Sequence, residues 1–288
     1  MNSSERNLEA ETYESWIGKE EIRTDCLAIE TIQRYEAFMD RDPLSVKQDD
    51  ALDPCLHWLY FTPIDQQYTL DSDGHVKKGD FIPPIPSPRR MAAGGKIVFH
   101  EVLMLGELTE KTSAIKSIEE KQGSSGKLTF LTVNHKLQQN DDVAIDEDQH
   151  IVYMETSYRN QHLTRTKYLD IHPEWRDSYQ TDSVKLFRFS ALTFNAHRIH
   201  YDEPYAQDVE GYPTLVVHGP LIVILLAENF AKHHPERTIT EIVYRAVGPM
   251  YKGENISLSG QDTALQNTSC RAYGPEGNMA MQAEFKWE

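Results

Sequence analysis

The sequence has no apolar run long enough to cross a bilayer. Its longest, Leu221 to Ala227, falls far short of the roughly 18 residues a spanning helix needs, so a membrane-spanning protein is not expected. Cysteine is scarce: Cys26, Cys55 and Cys270 are widely scattered, with no Cys-x-x-Cys pair. That argues against a disulfide framework and for a reducing compartment. Basic residues are in deficit, 29 Lys and Arg against 45 Asp and Glu, a net charge of −16 with histidine neutral. Such a surface repels phosphate backbones, so nucleic acid is not an expected partner, although a few local cations can still hold a small anion. No G-x-G-x-x-G, Walker loop or G-x-S-x-G occurs, and QGSSGK at 122–127 resembles a phosphate loop in composition only. Twelve histidines are present, but neither an H-E-x-x-H nor a cysteine set accompanies them. His197 and His200 lack a recognisable third ligand, so no metal is expected. The first 15 residues carry four glutamates and no apolar core, unlike a secretory signal or an arginine-rich transit peptide. A cytoplasmic setting is expected.

The 288 residues are 39% apolar and 10% aromatic, enough for a sizeable core and about right for two domains. A helix is expected over Thr31–Asp40, where Ile32, Tyr35 and Phe38 or Met39 recur at helical spacing before Asp42-Pro43. Cys55–Phe61 is apolar but too short to assign. Residues 62–90 read as a long loop holding DSDG at 71–74, then a proline-rich extended arm, FIPPIPSPRR; loops of this length are often functional. Strands are expected from Lys96 onward, with QGSSG as a hairpin turn, KLTFLTVNHKLQQ as an alternating strand and another over His150–Arg159. Residues 161–182 are polar and irregular and form the best linker candidate. VKLFRFSAL at 184–192 is strand-like. NAHRIHYDEPYAQ at 195–207 reads as a turn with short helical pieces. Pro220 then opens an apolar, buried helix, which the adjacent His233 and His234 close favourably against the helix dipole. Strands follow to the end. Helices set against antiparallel strands make an α+β chain.

The strongest constellation is TFNAHRIHYDEPYA, 193–206, followed by LVVHGPL, 215–221. The first segment brings an amide, two imidazoles and a carboxylate into one polar turn. The second puts a glycine at the start of a buried helix, where unpaired backbone N–H groups and positive potential can hold an oxyanion. A nearby histidine can move a proton at neutral pH. Together they suit chemistry beside a thioester carbonyl. The same residues also suit a plain structural role, with Asp202 capping a turn and His200 hydrogen-bonded in the core.

These segments resemble the signature of the MaoC-type (R)-specific enoyl-CoA hydratases. His200 falls on that family's catalytic histidine, Asp202 on its following aspartate, and Val217-His218-Gly219 on its helix start. Asn195 stands where the family has its catalytic aspartate, His197 where it has asparagine, and Arg198 where it has proline. FRFSALTFNAHRIHYD, with LHWLYFTP (56–63), FIPP (81–84) and PRRMAAGG (88–95), resembles the branch of mesaconyl-C4-CoA hydratases, itaconyl-CoA hydratases and type 2 hydroxyacyl-thioester dehydratases. The resemblance covers the chain from about residue 50 to the end. It implies a double hotdog, two antiparallel sheets each wrapped round a helix. A cleft-forming repeat would span 1–160 and a catalytic repeat 183–288.

It also implies a hydro-lyase acting on an α,β-unsaturated acyl-CoA, with no cofactor beyond the CoA of the substrate. The expected roles are base for His200, water-holding amide for Asn195, and oxyanion donor for the Gly219 N–H. A neutral amide cannot take a proton from water, so base work falls on His200 alone or on His200 aided by Asp202 or Glu203. The branch suggests a C5 dicarboxyl thioester, itaconyl-CoA or mesaconyl-C4-CoA, whose free carboxylate would want a guanidinium. Arg198 is the first candidate and Arg188 the second. Arg89 and Arg90 in the arm would serve the carboxylate or the CoA phosphates, and His218 and Asp202 complete the expected substrate contacts. The rival activity is an (R)-3-hydroxyacyl-thioester dehydratase of fatty-acid metabolism. A rival of another class is an acyl-CoA-binding hotdog without turnover, which Asn195 favours. The two pseudo-dimeric halves leave open a homodimer of such chains.

Overall fold

A computed structural model describes residues 13–123, 126–154 and 173–288. The ten strands are β1 (Glu20–Cys26), β2 (Arg89–Phe99), β3 (Leu108–Gly123), β4 (Gly126–Gln139), β5 (Asp142–Met154), β6 (Trp175–Gln180), β7 (Ile239–Ala246), β8 (Asn255–Ala264), β9 (Asn267–Tyr273) and β10 (Met279–Trp287). The helices are α1 (Ile29–Phe38), α2 (Ser183–Leu192) and α3 (Gly219–His233).

The strands lie in the order β1-β3-β4-β5-β2-β7-β10-β9-β8-β6. Numbered within itself, each half runs 1-3-4-5-2, and the two halves meet through their second strands. The sheet therefore repeats its topology although the two sequences share little, and the two expected sheets join into one. The seam is antiparallel, Gly95 opposite Tyr244 and Ile97 opposite Ile242. Its close approach explains the glycines of PRRMAAGG. A Cβ on Gly94 would meet the Tyr244 carbonyl oxygen at 2.4 Å, and one on Gly95 would meet the Tyr244 hydroxyl at 2.7 Å.

The second half wraps α3, which is buried from Leu221 to Ala227 because it is apolar nearly all round. In the first half the same place is shared. Ile32, Tyr35 and Phe38 of α1 and the 3-10 turn Leu56–Leu59 enter the main core. The proline-rich arm lays Ile85 on Ile115, Leu131, Val133, Ile151 and Tyr153 of β3–β5. α1 ends two residues earlier than the spacing implied, because Asp40 adopts a left-handed φ of 59°.

Two expectations are corrected. VKLFRFSAL is helix, not strand: Asp182 accepts a hydrogen bond from the Lys185 N–H at 2.8 Å, a side-chain N-cap, and Leu186, Phe189 and Ser190 share the buried face. The linker candidate is also partly structured. Trp175–Gln180 pairs with β8, and Trp175 is buried against Gly260 with its Nε1 donating to Asn229 Oδ1 at 3.0 Å. The second repeat thus begins at β6, inside the segment read as a linker. Residues 155–172 of that region lie outside the described residues, as do Ser124 and Ser125 of the expected hairpin turn, whose flanking strands converge on Gly123 opposite Gly126.

Candidate active site

The motif runs between α2 and α3, and local hydrogen bonds fix its path. Phe194 takes a left-handed φ of 48°. The Asn195 N–H donates to the Ser190 carbonyl at 2.8 Å, and its Oδ1 accepts the His197 N–H at 2.9 Å. The expected water-holding amide oxygen therefore already closes an Asx turn. A 3-10 turn, Arg198–His200, follows and buries His200. Its Nδ1 lies 2.8 Å from the Val216 carbonyl. A carbonyl only accepts, so Nδ1 carries the proton and Nε2 keeps its lone pair.

The ring of His200 stacks on His218 at 3.7 Å and meets His197 edge-on at 5.4 Å. His218 is buried immediately before α3, with Nε2 2.9 Å from Ser190 Oγ. Burial pushes the His200 imidazole down to about 4, the His197 imidazole to about 2 and His218 well below the usual range. The cluster is neutral at physiological pH. Gly219 opens α3 with space beside it, since a Cβ there would meet nothing within 4 Å. The structure thus brings a proton acceptor and an open helix N-terminus together, linked through the His200–His218 stack.

The loop containing DSDG, expected from its length to be of a functional kind, packs directly on this motif. The Arg198 N–H donates to the Asp73 carbonyl at 2.9 Å, and an Arg198 guanidinium N–H to the Ser72 carbonyl at 3.0 Å. Gly74, at φ +94°, sits so close that a Cβ would fall 1.8 Å from the Ala196 carbonyl oxygen. The loop carries His75 to within 4.2 Å, ring to ring, of His197. Asp73 accepts from His75 Nδ1 at 2.9 Å. Although burial alone would raise it, the Asp73 carboxyl is held near 2 by that hydrogen bond and by the imidazole's charge. Asp73, His75 and His197 place polar side-chain atoms within 4.8 Å of one another, a grouping that leaves His200 out. The available signals were an Asp-x-His in a long loop and the glycine between them.

The arginines are sorted by their partners. Arg198 donates from Nε and a terminal nitrogen to the same Asp202 oxygen at 2.9 and 2.8 Å and lies 4.1 Å above the Tyr205 ring. Asp202 also accepts the Tyr205 N–H. Both side chains help to shape the motif, so the first choice for a carboxylate receptor already has its guanidinium paired with Asp202. Arg89 is buried in an ion pair with Glu210 at 2.7 Å and is likewise structural. Arg188 lines a cleft of about 580 Å³ between the repeats with Arg34, Tyr60 and Phe194. Arg90 lines a cavity of about 290 Å³ together with Asp73, His75, Lys78, Tyr153 and Tyr205.

A second polar cluster, missed in the sequence, lies in the first repeat. Buried Glu147 accepts from Trp58 Nε1 at 3.1 Å, with His57 Nε2 also at 3.1 Å. It borders a cavity of about 200 Å³ with Lys111 and His135 and explains the His-Trp of LHWLYFTP.

A repeated five-stranded half, a buried α3 and a histidine beside its N-terminus make a double hotdog. Solved structures agree on the fold. A MaoC-like dehydratase from Phytophthora capsici superimposes with a TM-score of 0.65 at 14% identity, over 94% of this chain and 96% of that one. A Mycobacterium tuberculosis protein described as a double hotdog gives 0.62 at 10% identity, over 94% and 96%. Residues 55–252 match the family model for hydroxyacyl-thioester dehydratase type 2, and the chain belongs to that family. The mesaconyl-C(4)-CoA hydratase of Chloroflexus aurantiacus is 40% identical over 269 residues, 93% of this chain and 95% of that one. The mitochondrial hydroxyacyl-thioester dehydratase type 2 of Schizosaccharomyces pombe is 27% identical over 240 residues, 74% and 79%. Among the described residues, no helix is long and apolar enough to cross a membrane.

Proposed function

We propose that this protein reversibly hydrates a C5 dicarboxyl enoyl-CoA of the mesaconyl-C4-CoA type. The observation that carries the substrate class is the 40% identity to a mesaconyl-C(4)-CoA hydratase along nearly the whole of both chains. The buried neutral His200 near the open start of α3 supports the chemistry. In the hydration direction, water attacks Cβ as His200 Nε2 takes its proton. The carbon–carbon π pair moves to the thioester, and the Gly219 N–H holds the resulting enolate oxygen. One such donor is typically worth about 10²–10³ in rate. Arg90, which lines the 290 Å³ cavity with His75, is our candidate for the guanidinium that meets the substrate's free carboxylate or a CoA phosphate. No cofactor is invoked, and the three free, scattered cysteines suit a cytosolic setting.

The test is loss of enoyl-thioester absorbance with mesaconyl-C4-CoA, itaconyl-CoA, crotonyl-CoA and a long-chain enoyl-CoA, with His200→Ala as control. Fast turnover of a dicarboxyl substrate, lost in the control, is expected. The 27% relative from Schizosaccharomyces pombe supports a second reading, dehydration of straight-chain 3-hydroxyacyl thioesters. A preference for crotonyl-CoA or long chains would select it. Binding without turnover anywhere in the panel would refute both.

A further inference from the structure

We propose that Asp73 and His75, contributed by the first repeat, form the second acid–base group of the site, replacing the carboxylate that Asn195 lacks. The inference rests on the hydratase reading above. Hydration needs one proton removed from water and one delivered to Cα, and His200 is set for the first. Its Nδ1 faces only the neutral Val216 carbonyl, so an imidazolium there has no carboxylate behind it.

His75 does have one. Asp73 uses one oxygen for His75 Nδ1 at 2.9 Å and the other for the His75 N–H at 2.8 Å, so both ring and backbone are fixed. An ionised carboxylate only accepts, which puts a proton on Nδ1 and leaves Nε2 for exchange. A carboxylate in this position orients an imidazole and stabilises the imidazolium it becomes. His75 lines the 290 Å³ cavity, and the rings of His75, His197 and His200 follow one another at 4.2 and 5.4 Å. Two independent contacts hold the loop there, the Asp73 and Ser72 carbonyls on Arg198 and Gly74 against Ala196.

In hydration, His75 as imidazolium donates its Nε2 proton to Cα. The enolate pair forms the new C–H bond and the thioester carbonyl is restored. The proton that His200 took from water passes back to His75 before the next turnover. In dehydration, neutral His75 removes the Cα proton and His200 protonates the leaving hydroxyl. The groups facing His75 are Asp73 on its own loop, His197 and His200 in the motif, Arg90 at the start of β2, and Glu210, with Lys78 in the same cavity. Burial, the largest influence, and Arg90 leave the His75 pKa below its ordinary value, and Asp73 and Glu210 offset that only in part.

The test compares full-length wild type, His75→Gln and Asp73→Asn for turnover of mesaconyl-C4-CoA and crotonyl-CoA across pH, with CoA-thioester binding by calorimetry. For His75→Gln, kcat falls about 10²–10³-fold, within the usual range for an acid–base group, while binding is kept. For Asp73→Asn, the limb on which hydration declines with rising pH moves to lower pH, because a raising influence is removed. Turnover by His75→Gln within threefold of an active wild type would overturn the dyad and leave the hydratase reading intact. So would loss of binding with turnover, an unmoved limb in Asp73→Asn, or activity lost to a chelator and restored by a divalent cation. A wild type that turns over no thioester would overturn both readings.

Discussion

Gly74→Ala isolates the docking of the first repeat's loop onto the motif. The added Cβ would fall 1.8 Å from the Ala196 carbonyl oxygen, whereas carbon and oxygen in contact normally stay about 3.3 Å or more apart. The two backbones must separate by roughly 1.5 Å. Doing so breaks the Arg198–Asp73 and Arg198–Ser72 hydrogen bonds, worth about 1 kcal/mol each. Holding alanine at φ +94° adds about 1–2 kcal/mol. The loop can relieve this by lifting away, so the stability loss stays near 2–4 kcal/mol and the fold survives. Activity suffers more, since a displacement of about 1 Å in an active site can cost 10²-fold. The assay is kcat for the preferred enoyl-CoA beside a thermal melt. Gly79→Ala is the control: its φ is +110° but its Cβ would meet nothing within 4 Å, so it carries the strain without the collision. Gly74→Ala with near wild-type kcat, or an equal loss in Gly79→Ala, would refute the argument that docking matters.

Three further outcomes follow from the contacts. Arg90→Ala should raise KM for mesaconyl-C4-CoA more than for crotonyl-CoA, whereas Arg198→Ala should impair both substrates alike; the reverse pattern in paired kinetics would restore Arg198 as the carboxylate receptor. Arg89→Met leaves Glu210 in a partly buried site without its cation and should cost about 3–5 kcal/mol by denaturant melt, as broken buried pairs do; a loss under 1 kcal/mol would contradict a structural role. The buried imidazoles His135, His197, His200 and His218 all titrate below the ordinary 6.5. The unfolded chain therefore binds more protons than the folded one between pH 6.5 and about 4. Stability falls as pH drops through that window, which urea midpoints at a series of pH values would show, and a flat profile would contradict the buried, neutral cluster.

Much of the second repeat was legible because its signals are local. Pro220 and the unbroken apolar run announced α3, and the alternation in KLTFLTVNHKLQQ announced β4 in the first. His200, His218 and Gly219 sit within 20 residues of one another in sequence, so their grouping could be read directly. α2 was misread because VKLFRFSAL has apolar residues at both two- and three-residue spacing, and the deciding signal, Asp182 as N-cap, lies just outside the apolar stretch. The roles of Arg198 and Arg89 were hidden for a different reason. Their partners are chosen by folding, and Arg89 finds Glu210 from 121 residues away. Asp73 and His75 were hidden likewise, since Ser72 and Arg198 are 126 residues apart.

The shared 1-3-4-5-2 order of the two halves has an evolutionary consequence. If an ancestral assembly placed two identical halves about an axis, any substitution in one would have appeared in the other, and both active sites would have changed together. Carrying both halves on one chain, with their sheets paired through β2 and β7, would remove that restriction. The segment between the first and second strands could stay a buried helix in one half and become, in the other, a long loop and arm reaching toward its neighbour's motif. Fusion in this sense would let the two copies specialise, so that one half could lend residues to a single asymmetric centre where symmetry requires two alike.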